Sequence, residues 1–256
     1  RQCPRYSYLL MYMRSLKQAI FGLFFLVNCT LVASASNVNV SPVRLTFENS
    51  KKMDSITIKN GGTEPVTMQM EILSWSQREG KDVLTATREL LGNPPIFTVP
   101  AGSSQVIRVG LRRTPDADRE LTYRIILEEL PAPIKSDFTG ANFYMRMSLP
   151  VFVQPEVEAK PLLRWRASRT PQGALKINLT NNGNVHIQIK SFMLSLPESA
   201  QPWVTKQSSE YVLSGSSRNW ILPLNTEYPT PPPGVTLKLF AKTDAGDIEA
   251  KVLIAP

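Results

Sequence analysis

The 256-residue sequence has only two cysteines, Cys3 and Cys29, and both lie in the first 35 residues. The rest of the chain therefore has no thiol for a disulfide, for nucleophilic catalysis or for a soft metal site. It also has a single histidine, His186, which we expect on the surface of a strand. A Ser-His-Asp triad would depend on that one residue, and the ligands of a zinc site are missing.

Other signatures of catalysis are missing as well. The sequence has no glycine-rich phosphate loop and no dinucleotide fingerprint. Its only adjacent acidic pair, Glu128-Glu129, lies in a predicted strand, where neighbouring side chains point to opposite faces. Asp244 and Asp247 flank a turn, but their spacing is too short for an EF-hand calcium loop. These absences argue against an enzyme, and we expect neither a metal nor a cofactor.

No acidic residue precedes Glu48. Four basic residues come before the apolar run "AIFGLFFLVNCTLVASA", which ends in the small-x-small pattern of residues 33–35. This order is typical of a secretory signal peptide, and the apolar part is short for a membrane span. We therefore predict that residues 1–35 are a cleaved leader whose true start is Met13 or Met11, and that the mature chain is exported without membrane insertion.

The positive charge of the sequence is concentrated in that leader. Four of the 29 basic residues lie there, so the remaining chain carries a net charge of only +4. Such a mild excess does not favour nucleic acid as a partner, and export argues against it further.

Beyond residue 36 the sequence shows no long helical periodicity. Short runs of alternating, β-branched and aromatic residues are separated by turn signals such as "NGGTEP", "VPAGS" and "PAPIKSD". The pattern pauses at the proline-rich "VQPEVEAKPLL" and then resumes. The segments "NLTNNGNVHI" and "KTDAGDIEAKVLI" each predict a hairpin, with a strand, a turn and a second strand. We predict an all-β protein of two β-sandwich domains, residues 36–155 and 156–256.

Several of these segments, in the same order, resemble the PapD-like periplasmic chaperones of chaperone–usher pili. They are "SPVRLTF", "NPPIFTVPAGSSQVIRVGLRRTP", "DRELTYRIILEELP", "FYMRMSLPVFVQP" and "NNGNVHI". The tryptophan in "LSWSQ" and the "SLPVFV" ending are more similar to the archaic or spore-coat-type branch. The resemblance implies two immunoglobulin-like domains in an L or boomerang arrangement with an interdomain cleft. It also implies a periplasmic chaperone that binds and folds pilus or fimbrial subunits by donor-strand complementation and delivers them to an outer-membrane usher.

The segment "ANFYMRMSLPVFVQP" alternates like a strand, and its apolar face is rich in methionine. Pattern alone permits this face to be ordinary core. The resemblance instead implies that the strand is lent to a pilus subunit that lacks its own last strand, because backbone pairing and alternate side chains fill such a groove. The implied donor residues are Ala141, Phe143, Met145, Met147 and Leu149.

In the resembled family, two basic residues in the interdomain cleft bind the terminal carboxylate of the subunit. Arg44 in "SPVRLTF" matches the first of them. The second falls at Pro150, whose side chain cannot bind an anion. Arg124 and Arg146 are the candidates to replace it, and Arg124 is slightly favoured because it belongs to a neighbouring strand.

A further implied set, Arg108, Glu120 and Asp244, matches a charged network that fixes the angle between the two domains in the family. The alternative to a chaperone is a secreted structural or adhesin-type surface protein of immunoglobulin-like domains, which would not require Arg44. Self-association of the free protein to cover its apolar strand is a further expectation, which light scattering at high concentration would test.

Overall fold

A computed structural model describes residues 37–48, 50–131, 143–197, 202–222 and 231–255. All regular elements within these ranges are β-strands, and no helix there is long and apolar enough to cross a membrane. The predicted leader, residues 1–35, and the predicted donor residue Ala141 lie outside the described residues.

The first ten strands form two sheets between Val38 and Val153. They are β1 (Val38–Ser41), β2 (Leu45–Phe47), β3 (Met53–Asn60), β4 (Val66–Arg78), β5 (Lys81–Ala86), β6 (Leu90–Asn93), β7 (Ile96–Val99), β8 (Ser104–Leu111), β9 (Leu121–Glu129) and β10 (Arg146–Val153). One sheet has the order β1-β3-β8-β6, and the other has the order β2-β10-β9-β4-β5 with β7 also paired to β4.

The chain changes sheet between β1 and β2. The strand β1 pairs antiparallel with β3, whereas β2 pairs parallel with β10 in the opposite sheet. Pro42 lies at the break, where its missing N–H removes a ladder donor and favours the end of a strand. The crossing places Arg44, the residue before β2, beside the last strand of this sandwich.

Alternating apolar residues of both sheets meet in one core. Phe47, Ile56, Ile107, Ile125 and Val151 are representative members, each at most 1% exposed. Burying such side chains contributes about 1.5–3 kcal/mol each, which is the main force holding the two sheets together.

The remaining strands form one seven-stranded sheet with the order β14-β13-β16-β17-β11-β12-β15. They are β11 (Leu163–Arg169), β12 (Leu175–Asn181), β13 (Ile187–Ser195), β14 (Val204–Val212), β15 (Ser217–Leu222), β16 (Thr236–Thr243) and β17 (Gly246–Ala255). Its two halves are joined by the parallel pairing of β11 with the end of β17, and they share one buried core. The sheet therefore curls over itself into a second sandwich. The domain limits at residues 155 and 156 remain a prediction.

The two predicted hairpins of this sandwich differ in outcome. The strands β16 and β17 pair across Asp244 and Ala245, so the final hairpin is confirmed. The prediction that "NLTNNGNVHI" forms a hairpin is wrong, because β12 pairs with β11 and β15 whereas β13 pairs with β14 and β16. The turn instead carries the chain from one half of the sheet to the other.

A buried asparagine organises that turn. Asn181 is fully buried; its amide nitrogen donates to the carbonyls of Val185 and Val212, and its side-chain oxygen accepts from the N–H groups of Leu162 and Gly183. The amide thus joins the turn, the linker before β11 and the end of β14. Because each group has a partner, the polar side chain is tolerated in the core.

The first sandwich contains a similar buried asparagine, Asn60. The amide of Asn60 donates to the carbonyls of Glu64 and Val99 and accepts from the N–H of Gly62. Each asparagine ends a strand, donates to the carbonyl four residues later and accepts from the N–H two residues later.

Candidate functional site

The strand β10 is paired along its full length on one edge only. All of Arg146–Val153 pairs with β9, but β2 covers only Val151–Val153 on the other edge. Among the residues that the structure describes, no strand covers the second edge of residues 146–150.

The backbone direction shows which groups this open edge presents. The carbonyl of Met145 accepts from the N–H of Glu129 on the β9 side, at 2.8 Å, and the N–H of Gln154 donates to Phe47 on the β2 side, at 2.9 Å. Since successive residues alternate, the even-numbered positions 146 and 148 direct their N–H and C=O groups to the open edge. This is the geometry on which an added strand would pair.

The four described residues of the predicted donor set become more exposed toward the start of the strand. Leu149 is 5% exposed and lies in the core of the first sandwich, and Met147 packs against that core. Met145 is half-buried, and Phe143 is 86% exposed. Among these four residues, exposure is therefore greatest at Phe143 and partial at Met145 and Met147, whereas Leu149 already fills its own core.

Pro150 interrupts the open edge without breaking the sheet. It is buried and stands directly opposite Arg124 of β9. Its position is even-numbered, so the missing N–H lies on the side away from β9 and no bond of the β9 ladder is lost.

Two arginines flank this proline. Leu45 of β2 is level with Val151 of β10, so Arg44, one residue earlier in a parallel pair, comes level with Pro150. Arg124 is level with Pro150 on the other side. Because Leu45 and Val151 point into the core, Arg44, Pro150 and Arg124 share the opposite face of the sheet. The structure thus brings Arg44 and Arg124 to one line across three neighbouring strand segments.

The Arg124 guanidinium lies over an aromatic ring rather than in an ion pair. It is 3.7 Å from the centre of the Trp75 ring and 5.5 Å from that of Tyr211. Within the described ranges it has no carboxylate within salt-bridge distance. Burial lowers the pKa of Arg124, which Asp82 and Tyr211 oppose, and an arginine stays protonated throughout. A half-buried cation held by stacking retains its hydrogen-bond donors for an incoming anion.

Tyr211 comes from the second sandwich, and its phenol lies close enough to Arg44 and Arg124 for both charges to affect it. Burial raises the pKa of its phenol, while the nearby charges of Arg44 and Arg124 act in the opposite direction and that of Asp244 adds to the increase. The ring also packs with Trp75, at 5.5 Å between ring centres. The site is therefore built from both domains.

His186 lies in the same contact between the two sandwiches, and the prediction of a strand-surface histidine is wrong. Its side chain is 11% exposed and its ring stacks on Phe152, with 3.5 Å between ring centres. Nδ1 is 2.8 Å from Oε2 of Glu120, and Nε2 is 3.4 Å from Oδ2 of Asp244. Burial lowers the pKa of His186, but the hydrogen bonds to Asp244 and Glu120 outweigh it, so this pKa is raised above its ordinary value.

Asp244 has two further partners. Its Oδ2 accepts from Nη1 of Arg44 at 3.0 Å, and its Oδ1 accepts from the N–H of Gln188 at 2.8 Å. Burial raises the pKa of Asp244, but the opposing effects of His186, Gln188 and Arg44 are larger and lower this pKa to about 2. The carboxylate is thus charged at neutral pH and shared between an arginine of the first sandwich and a histidine of the second.

Two predicted site residues lie elsewhere. Arg108 is exposed on β8, in the sheet that does not contain β10, where its neighbours are Ser55 and Asn93; it has no ion-pair partner among the described residues. The place expected for it between Glu120 and Asp244 is occupied by His186. Arg146 is exposed on β10, where its Nε is 3.9 Å from Glu128.

The residues that the sequence analysis did not assign to the site are Trp75, Tyr211 and His186. A lone histidine one residue before the buried strand position Ile187 gave no signal of its own, because its partners are 66 and 58 positions away in sequence. Across the described residues, no group of acids and histidines could hold a metal ion.

Comparison with known proteins gives one family match. Residues 37–158 match the family described as "Pili and flagellar-assembly chaperone, PapD N-terminal domain". No curated protein matches the chain significantly.

Solved structures with the same fold cover most of the chain. One is a chain of the CsuC–CsuE chaperone–tip adhesion subunit pre-assembly complex from archaic chaperone-usher Csu pili of Acinetobacter baumannii. The match has 22% sequence identity and a TM-score of 0.64, and it covers 86% of this chain and 100% of that chain. A second belongs to the Salmonella enterica SafA pilin–SafB chaperone complex. This match has 14% sequence identity and a TM-score of 0.59, and it covers 86% of this chain and 98% of that chain. The E. coli chaperone DraB is 19% identical in sequence, with a TM-score of 0.56, and the match covers 85% of this chain and 97% of that chain. These likenesses confirm the all-β fold of two immunoglobulin-like sandwiches.

Proposed function

We propose that this chain, whose residues 37–158 match the family of pili and flagellar-assembly chaperones, is a periplasmic chaperone that binds pilus or fimbrial subunits by donor-strand complementation. It would fold each subunit against the open edge of β10 and then deliver it to an outer-membrane usher. The proposal also includes a cleaved leader, membership of the archaic or spore-coat-type branch, and domain limits near residues 36–155 and 156–256. Neither a cofactor nor a catalytic step is required, because the subunit exchanges one strand for another.

The observation that carries this proposal is the placement of two arginines on either side of Pro150. Arg44 and Arg124 share one face of the sheet at the point where the open edge of β10 ends. A subunit strand that pairs along this edge would bring its terminal carboxylate to both guanidinium groups, which would fix its register. Arg124 would then supply the positive charge that Pro150 cannot, from the directly opposite position on β9.

The exposed part of the strand supports the same conclusion. Phe143 is 86% exposed and is followed at alternate positions by Met145 and Met147. Flexible methionines fit grooves of differing shape, which suits a protein that must accept several related subunits and later release them.

The test is a co-purification from the periplasm of the native host. We expect small secreted proteins with alternating carboxyl-terminal strands to accompany the wild-type chain and to be lost with Arg44→Ala. Arg108→Ala is the matched control, because Arg108 is an exposed strand arginine outside the site. Retention of the same partners by Arg44→Ala would refute the role of Arg44. If fibre-producing cells yield no co-purifying subunit, the chaperone function itself is contradicted.

A further inference from the structure

The ring of His186 is held between two carboxylates that belong to different parts of the contact between the sandwiches. Glu120 lies just before β9 in the first sandwich, and its side chain is fully buried. Asp244 lies in the β16–β17 turn of the second. His186 itself precedes β13, and its backbone N–H also donates to Glu120, at 3.0 Å. The histidine therefore bridges the two domains through both its main chain and its side chain.

The geometry favours the protonated form of the ring. Both ring nitrogens face carboxylate oxygens, Nδ1 toward Glu120 and Nε2 toward Asp244. A neutral imidazole has one N–H, so it can donate to only one of these oxygens and would direct a lone pair at the other. Only the imidazolium directs an N–H toward both oxygens and neutralises part of the buried negative charge.

The charged and titratable groups around the ring come from four segments. They are Glu120 before β9, Asp244 in the β16–β17 turn, Arg44 before β2, and the neutral phenol of Tyr211 on β14, with Phe152 of β10 stacked beneath the ring.

Arg44 and His186 contact the same oxygen, Oδ2 of Asp244, at 3.0 and 3.4 Å. Any change in the charge of His186 therefore changes how strongly Asp244 attracts Arg44.

We infer that His186 is a positioning residue that acts through Asp244 on Arg44, so that protonation of the ring both joins the two domains and loosens the hold of Asp244 on Arg44. With the ring protonated, Asp244 is shared between two cations and Arg44 is available to an incoming carboxylate. With the ring neutral, Asp244 attracts Arg44 alone and competes with that carboxylate. The site then loses affinity as the pH rises.

The consequence for subunit binding rests on the proposed function, whereas the coupling between His186, Asp244 and Arg44 does not. The contribution of the raised histidine pKa to stability follows from linkage. It is complete below the ordinary histidine pKa of about 6.5 and is lost as the pH rises through the higher folded-state pKa.

The decisive experiment uses the isolated mature chain with a tag that contains no histidine. Because the sequence has one histidine, its imidazole proton resonances in NMR report on His186 alone. We expect a single titration with a midpoint above the ordinary value of about 6.5. A midpoint at or below that value would overturn the inference without any variant being made.

Three variants then test the coupling. Asp244→Asn removes one acceptor charge and should lower the midpoint, whereas Arg44→Gln removes a competing cation and should raise it. Arg108→Gln, the matched control on β8, should leave it unchanged. If Arg44→Gln has no effect, or if Arg108→Gln shifts the midpoint equally, His186 does not act on Arg44.

A binding measurement separates this inference from the proposed function. Subunits co-purified with the wild-type chain should dissociate several-fold more at about pH 8.5 than at about pH 6, while those held by His186→Gln should show no such difference. Equal pH dependence in both would contradict the role of His186. If no subunit co-purifies at all, the proposed function fails and the NMR titration still decides the coupling.

Discussion

The guanidinium of Arg124 lies 3.7 Å above the ring of Trp75, and directly opposite Arg124 on the neighbouring strand stands Pro150. The family resemblance predicts a second basic residue at the position of this proline. Residues directly opposite on neighbouring strands have Cβ atoms about 4.5–5.5 Å apart. A basic residue at position 124 can therefore place its charge in the same region as a basic residue at position 150 would. The tryptophan holds the guanidinium there while leaving its N–H groups available.

We predict that Arg124→Gln weakens subunit capture about tenfold or more, because a charge-assisted hydrogen bond contributes about 1.5–3 kcal/mol. Arg146→Gln should have little effect, since Arg146 is exposed and 3.9 Å from Glu128. Co-purification yields of the two variants, compared at equal expression, check this. A greater loss with Arg146→Gln would place the second anchor on β10.

The exposed end of the apolar face gives a second prediction. Phe143→Ser should reduce subunit capture while leaving the free energy of unfolding within about 0.5 kcal/mol of the wild type, because an exposed side chain contributes little to the core. Ile221→Ser is the matched control, as Ile221 is 64% exposed on β15 of the second sandwich. Urea unfolding and co-purification together measure both effects. Equal capture by Phe143→Ser and the wild type would exclude Phe143 from the donor strand.

Acid should weaken the contact between the sandwiches. The pKa of Asp244 is lowered to about 2 in the folded protein from an ordinary value of about 3.8. A lowered carboxyl pKa contributes stability that is present above the unfolded value and is lost as the pH falls through the folded one. Denaturant unfolding between about pH 5 and pH 2 should therefore show a steeper loss for the wild type than for Asp244→Asn. Parallel curves would show that Asp244 does not contribute.

The buried amide of Asn181 should be essential for the second sandwich. Asn181→Ala leaves the carbonyls of Val185 and Val212 without their buried amide donor, and each unsatisfied buried group costs about 1–3 kcal/mol. We expect a loss of several kcal/mol in the free energy of unfolding. Asn219→Ala, at an exposed position on β15, is the control and should change it little. A similar small loss in both variants would contradict the role of the amide.

The sequence predicted the strands well because their information is local. Alternating apolar residues and turn signals mark β3, β4, β8, β9 and β10 without reference to the rest of the chain. The same local reasoning failed at "NLTNNGNVHI", where an Asn-Gly turn resembles that of a hairpin. Which strands pair depends on where distant segments find their core, and here the two strands pair with other partners.

Only part of the candidate site could be predicted from the sequence. Arg44 and Arg124 were named, and the structure brings both to Pro150, although their roles stay predictions. Arg108 was expected beside Glu120 and Asp244, but no local pattern could show that a histidine from another segment lies there instead.

What the sequence determined by itself is the alternation of apolar and polar residues, and with it an all-β chain of two sandwiches. That pattern is sufficient because each strand must bury one face whatever its partners are. The tertiary structure alone decided that Arg44, His186 and Asp244 meet, since Arg44 and Asp244 are 200 positions apart. Contacts at that separation arise from the packing of one sandwich on the other, and no spacing in the sequence specifies them.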